Sequence, residues 1–135
     1  MIVLPWTALS TIGVLIVYFL TILGVGRVRI RYKVNPPATQ HEAPEFNRAF
    51  RTQQNTLEQM MLFLPALWVF AISVGDRWAG LLGLAWVVGR LWYAVGYTKD
   101  GPKRMPGFVI GLTAAVVAIV GSLVAIIADI IAVYL

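Results

Sequence analysis

Four long apolar runs, separated by polar connections, dominate this sequence. They cover about residues 2–25, 57–74, 78–97 and 108–135, and the first run contains no charged side chain. A helix needs about 20 apolar residues to cross a bilayer. With 59% hydrophobic and only 13% charged residues, the chain is too apolar for an ordinary soluble domain. The sequence therefore predicts an all-α membrane protein built as a bundle of four transmembrane helices.

Proline and glycine positions refine this prediction. Pro5 falls in a first helical turn, where proline is tolerated, and Pro36 and Pro37 interrupt the first connection. We expect helices at about residues 2–30, 45–74, 78–97 and 106–134, within one integral membrane domain covering residues 1–135. Close helix packing is expected at the glycines of the third run, which are Gly80, Gly83, Gly89 and Gly96.

The basic residues are unevenly distributed between the connections. The first and third connections carry Arg27, Arg29, Arg31, Lys33, Arg48, Arg51, Lys99, Lys103 and Arg104, whereas the second carries only Arg77. Cytoplasmic loops of membrane proteins are enriched in lysine and arginine. We therefore expect these two connections on the cytoplasmic side and both termini on the opposite side. Orientation explains the net charge of +5 better than nucleic-acid binding does, because no aromatic-interleaved basic patch is present.

Residue types exclude several kinds of chemistry. The chain has no cysteine, so it can form no disulfide, no zinc–thiolate site and no cysteine nucleophile. Its single histidine, His41, lies in a polar connection and is interpreted as a solvated loop residue. No metal site is predicted.

The second helix opens with an unusual polar face. Arg51, Asn55 and Glu58 stand at i, i+4 and i+7, which places them on one side of a helix. Glu58 lies about 10 Å deeper than Arg51 along the helix axis. An ionisable group at such a depth is costly and marks a candidate functional site.

The third helix has a second polar face. The polar residues of both helices lie toward the helix ends that are predicted to be on the cytoplasmic side. The convergent set consists of Arg51, Gln53, Asn55, Glu58, Arg90, Tyr93, Tyr97 and Arg104. Arginine forks bind carboxylates, and a buried carboxylate needs a cation such as an ammonium. A cation near a thiol favours the reactive thiolate. This chemistry suits a small zwitterionic thiol, although the spacing does not demand it.

Two structural interpretations stay open at this point. Arg51, Asn55 and Glu58 are equally compatible with an internal ion-pair and amide network that joins helices. By spacing alone, Tyr93 and Tyr97 are more typical of an aromatic belt at the membrane interface than of a binding site.

Two segments carry a resemblance to a known family. Residues 46–58 (FNRAFRTQQNTLE) followed by 62–68 (LFLPALW), and residues 90–97 (RLWYAVGY), resemble motifs of the membrane-associated proteins in eicosanoid and glutathione metabolism, the MAPEG family. Arg104 and the Pro36-Pro37 connection also match its pattern. The resemblance extends over essentially the whole chain and is closest to the microsomal glutathione transferases, in a bacterial-type member.

The resemblance implies a homotrimer with glutathione bound between subunits near the cytoplasmic side. It implies that glutathione is held by Arg29, Arg51, Gln53, Asn55, Glu58, Tyr93 and Tyr97. It further implies that Arg104 stabilises the glutathione thiolate, which attacks lipophilic electrophiles arriving from the membrane lipid. Some members also reduce lipid hydroperoxides, and no metal is involved.

The sequence departs from one branch of this family. Ile30 follows Arg29, and Gln59 follows Glu58, at positions where the leukotriene-synthase branch has arginine and tyrosine. A general detoxifying transferase is therefore favoured. The alternative is a non-catalytic lipid-binding adaptor on the same scaffold. A small multidrug exporter ranks last, because residues 2–25 contain no acidic residue.

Overall fold

The computed structural model describes residues 3–99 and 101–134. It contains the four long helices α1 (Pro5–Tyr32), α2 (Pro44–Ser73), α3 (Asp76–Lys99) and α4 (Met105–Tyr134), with a short 3-10 helix, η1 (Gly101–Arg104), before α4. Each long helix is long and apolar enough to cross a membrane. The prediction of four membrane-spanning helices is therefore confirmed.

The helix bounds differ slightly from those expected. α1 continues to Tyr32 rather than ending near residue 30, and its expected start at Ile2 lies outside the described residues. α3 begins at Asp76 rather than at residue 78. An acidic side chain in the first turn stabilises the positive end of a helix, which accounts for the earlier start. The sequence interpretation did not anticipate η1.

α2 and α3 form the centre of the bundle. Each contacts all three other long helices, whereas α1 and α4 make no contact with each other within the described residues. The rings of Phe63 and Trp86 stack between α2 and α3 with centroids 5.3 Å apart. Both side chains are fully buried, and small side chains of α4 such as Ala118 pack against the same cluster.

The glycines of α3 allow close helix contacts, as predicted. A Cβ atom on Gly83 would lie 2.4 Å from Cβ of Ser10 on α1. On Gly96 it would lie 2.6 Å from the backbone oxygen of Lys103 in η1. Gly80 and Gly89 have similarly close neighbours, on α1 and α4 respectively. Larger side chains at these positions would push the helices apart.

Asp76 connects the start of α3 to the start of α1. Its Oδ1 accepts hydrogen bonds from the Thr7 backbone N–H at 2.8 Å and the Thr7 hydroxyl at 2.7 Å. Its Oδ2 accepts one from the Trp6 N–H at 3.1 Å. The residue before α1, Leu4, provides no side-chain cap. Asp76 therefore satisfies N–H groups at the α1 N-terminus that lack partners inside the helix.

We expect Asp76→Ala to lower the thermal unfolding midpoint by about 4 °C, since the α1 N-terminus loses its cap. The measurement is the loss of helical circular dichroism on heating the protein in detergent. Asp129→Ala is the matched control, because Asp129 is an exposed carboxylate near the end of α4. Equal midpoints for the two variants would contradict the capping role.

One tryptophan packs in the core of the bundle, and others lie on its outer surface. Trp86 is fully buried, whereas Trp6, Trp78 and Trp92 are at least half exposed. Large apolar side chains cover much of the remaining outer surface of all four helices. This distribution is expected where lipid, rather than water, is the surrounding solvent.

Candidate functional site

The candidate site lies where the polar end of α2 meets the end of α3, η1 and the start of α4. η1 turns the chain back against α3, because Gly96 leaves room for the backbone of Lys103 and Arg104. The turn brings Arg104 over the ring of Tyr97, with its guanidinium carbon 4.4 Å from the ring centroid. Arg104, seven residues after Tyr97, thus lies against the end of α3.

Two cavities open at this place. The smaller, of about 230 Å³, is lined by Arg51, Asn55, Tyr93, Tyr97, Arg104, Met105 and Phe108. The larger, of about 600 Å³, is lined by Thr39, Gln40, Pro44, Asn47, Arg48, Phe50, Arg51, Gln54 and Tyr97. Both cavities have Arg51 and Tyr97 in their walls, so they adjoin. Their walls combine arginines, amides and phenols with a few apolar groups.

Tyr93 and Tyr97 face the interior of the helix bundle. Their relative exposures are 5% and 9%, and their ring centroids lie 5.8 Å apart. A guanidinium group lies over each ring. The guanidinium carbon of Arg90 is 4.1 Å from the Tyr93 ring centroid, and that of Arg104 lies over Tyr97. Such cation–π contacts hold both partners in place. The interpretation of these tyrosines as a lipid-facing belt is therefore wrong.

The polar face of α2 lies on the outside of the helix bundle. Arg51 and Glu58 are exposed, and neither forms an ion pair within the part of the chain that the structure describes. Asn55 Nδ2 donates to the backbone oxygen of Arg51 at 3.0 Å. The described residues of the chain therefore do not form the internal ion-pair network that was considered from the sequence. Glu58 lies beyond the two cavities, farther along α2.

Arg90 is buried behind the cavity wall. It has no exposed surface, and its Nη2 donates to the Thr56 hydroxyl at 2.7 Å. Its Nε and Nη1 have no hydrogen-bond partner among the described residues. Arg90 lines neither cavity and contacts Tyr93, which does line one. Thr56 was missed from the sequence, although it follows Thr52 by one helical turn on the opposite face from Arg51.

Arg29 and Gln53 also lie outside the two cavities. Arg29 Nη2 donates to the backbone oxygen of Ala38 at 2.9 Å, and its guanidinium carbon lies 5.1 Å from the Phe46 ring centroid. It therefore ties the first connection to α1 and α2. Gln53 is half-buried on α2. Of the nine predicted site residues, the structure brings five to the smaller cavity, namely Arg51, Asn55, Tyr93, Tyr97 and Arg104.

Several cavity residues were not selected from the sequence. Asn47 and Gln54 line the larger cavity and stand four residues before and three after Arg51. The same helical periodicity that linked Arg51 to Glu58 could have identified them. Periodicity could not have identified Phe108, because it lies on α4, and only the turn at η1 brings the start of α4 to the site. Among the described residues, no three His, Cys, Asp or Glu side chains come together as metal ligands.

Fold and site together define a four-helix integral membrane protein with an arginine- and tyrosine-lined cavity at one end of its bundle. The sequence profile of the MAPEG family matches residues 7–124. The chain belongs to the MAPEG family.

Similar proteins include enzymes that use glutathione. The uncharacterized protein sll1147 of Synechocystis sp. is 43% identical, over 87% of this chain and 85% of its own. Human microsomal glutathione S-transferase 2 is 41% identical, over 67% of this chain and 60% of its own. Bovine leukotriene C4 synthase is 36% identical, over 73% of this chain and 64% of its own. The match thus spans less than two thirds of the length of either of these two enzymes.

Proposed function

We propose that this protein is a membrane-bound glutathione transferase that joins the sulfur of glutathione to lipophilic electrophiles. The observation that carries the proposal is the position of Arg104. Its guanidinium lies on Tyr97 in a cavity that also contains Arg51 and Asn55. The name of the human relative, microsomal glutathione S-transferase 2, supports the choice of glutathione.

The cavity walls offer partners for the carboxylates and the peptide groups of glutathione. Arg51 and Arg48 offer forked donors for its two carboxylates, and Asn55 and Gln54 offer amides for its peptide groups. The larger cavity, at about 600 Å³, is within the range of about 300–1,000 Å³ that holds small molecules. Tyr93 and Tyr97 add hydroxyl groups and apolar ring surface.

Arg104 serves in this proposal as a fixed cation for the thiolate. The thiol proton leaves to solvent, and the negative sulfur stays near the guanidinium. Sulfur then attacks the electrophilic carbon, the carbon–sulfur bond forms, and the leaving group departs with its electron pair. Charge that is placed in advance needs no reorganisation during the reaction. The same thiolate would support reduction of a lipid hydroperoxide, with two glutathiones giving the disulfide, an alcohol and water.

We further propose that the site is completed between subunits of a homotrimer. Glu58 is exposed on a helix able to span the membrane, where an unpaired carboxylate is expensive. A neighbouring copy against this face of α2 would enclose Glu58 beside the ligand ammonium and bring its own Arg29 and Gln53 nearer. The basic end of the bundle is proposed to face the cytoplasm, with the termini opposite.

A conjugation assay tests the reaction class. Purified protein in detergent is expected to convert glutathione and a chlorodinitrobenzene to the thioether, because the bound thiolate displaces chloride. Product absorbance measures the rate, and S-methylglutathione, which has no free thiol, is the negative control. Lipid binding without thioether formation would instead identify a non-catalytic lipid-binding adaptor.

A further inference from the structure

A separate basic cavity lies between α1 and the start of α2. Its volume is about 360 Å³, and its charged wall residues are Arg27, Arg31, Arg48 and Glu45. Gly24 and Ala49 complete it on the side toward the middle of the helices. It opens at the same end of the bundle as the candidate glutathione site but on the α1 side.

Only part of the positive charge in this cavity is compensated. Arg31 Nη1 lies 3.2 Å from Glu45 Oε1, and the Tyr32 hydroxyl donates to the other oxygen of Glu45. Arg27 forms no hydrogen bond or ion pair with any described residue. Nε of Arg48 is shielded from solvent and lacks a hydrogen-bond partner in the described part of the chain. The shielded Nε cannot reach a ligand, but Arg27 and Arg48 form no ion pair with any described residue, so their positive charge is left for an external anion.

An apolar groove continues directly from this cavity. The groove, of about 240 Å³, shares Gly24 and Ala49 with it and runs between α1 and α3 past Val17, Leu20 and Leu91. Val17 and Arg27 are ten residues apart on α1, a rise of about 15 Å. That length equals half of a hydrocarbon core about 30 Å thick, which is one leaflet. The basic cavity is thus continuous with an apolar groove that is about as long as one leaflet is thick.

We propose that this composite surface is a binding site for an anionic phospholipid. The headgroup phosphate contacts Arg27 and Arg48, and one acyl chain lies in the groove between α1 and α3. Phosphate accepts the forked guanidinium donors, and basic pockets at the ends of membrane helices attract anionic lipids. Arg27 and the apolar groove lie outside both candidate glutathione cavities, so these two parts of the lipid site do not depend on the transferase reaction. Arg48 also lines the larger candidate glutathione cavity.

Gly24 offers a test that leaves the arginines intact. A Cβ atom at Gly24 would meet nothing within 4 Å, and the same holds for Gly26 on the same helix. Only Gly24 lines the cavity and the groove. Gly24→Leu should therefore place a side chain in the junction with no clash at its Cβ atom, and Gly26→Leu is its matched control.

The measurement is native mass spectrometry of the detergent-solubilised protein with equal amounts of phosphatidylglycerol or phosphatidylcholine. Wild type should retain phosphatidylglycerol at least about fivefold better than phosphatidylcholine. Gly24→Leu should lose this retention, and Gly26→Leu should keep it. Arg27→Gln should weaken phosphatidylglycerol retention about fivefold, while Arg77→Gln, at the opposite end of the bundle, should not.

Other outcomes would overturn the proposal. Equal retention of the two lipids would show that the arginines do not select the headgroup. Displacement of phosphatidylglycerol by an equal concentration of inorganic phosphate would show that the groove contributes nothing. Unchanged retention in Gly24→Leu would place the lipid elsewhere. A change in oligomeric mass in this variant, with lipid retention unaltered, would show that a second copy covers the groove.

Discussion

Arg104→Ala is expected to abolish the ultraviolet thiolate absorbance that glutathione develops on binding to the wild-type protein. It should also lower the conjugation turnover number about a hundredfold to a thousandfold, as removal of one preorganised stabilising group does in other enzymes. The reason is that Arg104 is the cation placed over Tyr97 at the cavity. Without it, the bound sulfur keeps its proton at neutral pH and attacks poorly.

Two control variants distinguish the role of the Arg104 guanidinium from a general effect of removing a positive charge. Lys99→Ala removes an exposed cation from the end of α3 that lines neither cavity, and it should leave the thiolate band intact. Arg104→Lys keeps the charge but loses the planar fork, so it should retain part of the band. A full thiolate band in Arg104→Ala would refute the assigned role of Arg104.

Glu58→Gln should weaken glutathione binding by roughly tenfold or more, since an ionic hydrogen bond to the ligand ammonium is lost. Isothermal titration calorimetry in detergent measures the dissociation constant. Desamino-glutathione, which lacks the ammonium, should bind wild type and Glu58→Gln with equal affinity. This comparison separates contact with the ammonium from a general loss of the pocket.

The oligomeric state decides between a ligand contact and a structural role for Glu58. Size-exclusion chromatography with light scattering should give the same mass for wild type and Glu58→Gln. Glu42→Gln, in the exposed first connection, is the control for removal of a surface carboxylate. Unchanged glutathione affinity together with a smaller assembly would mean that Glu58 joins subunits and does not bind the ligand.

The structure brings some of the predicted site residues to one cavity and leaves others apart, and this division has a physical explanation. Helical periodicity correctly placed Arg51 and Asn55 on one face and Tyr93 and Tyr97 on another. Periodicity does not report how far a helix is rotated against its neighbours. It therefore placed Arg90 in the site, although Arg90 lies behind Tyr93, fully buried and hydrogen-bonded to Thr56, and lines neither cavity. Arg29 was likewise selected as a basic residue at the end of α1. In the structure its guanidinium donates to the backbone oxygens of Val34 and Ala38 in the first connection.

The sequence by itself determined that the chain forms four membrane-spanning helices with polar ends, because apolar length and periodicity are local properties. It also supplied the glycines that permit close packing. Only the tertiary structure decided which polar residues meet. Arg104 reaches Tyr97 through the turn of η1, and the basic cavity adjoins the apolar groove only because α1 packs beside both α2 and α3. Such contacts depend on helix rotation and loop path, which spacing along one chain does not encode.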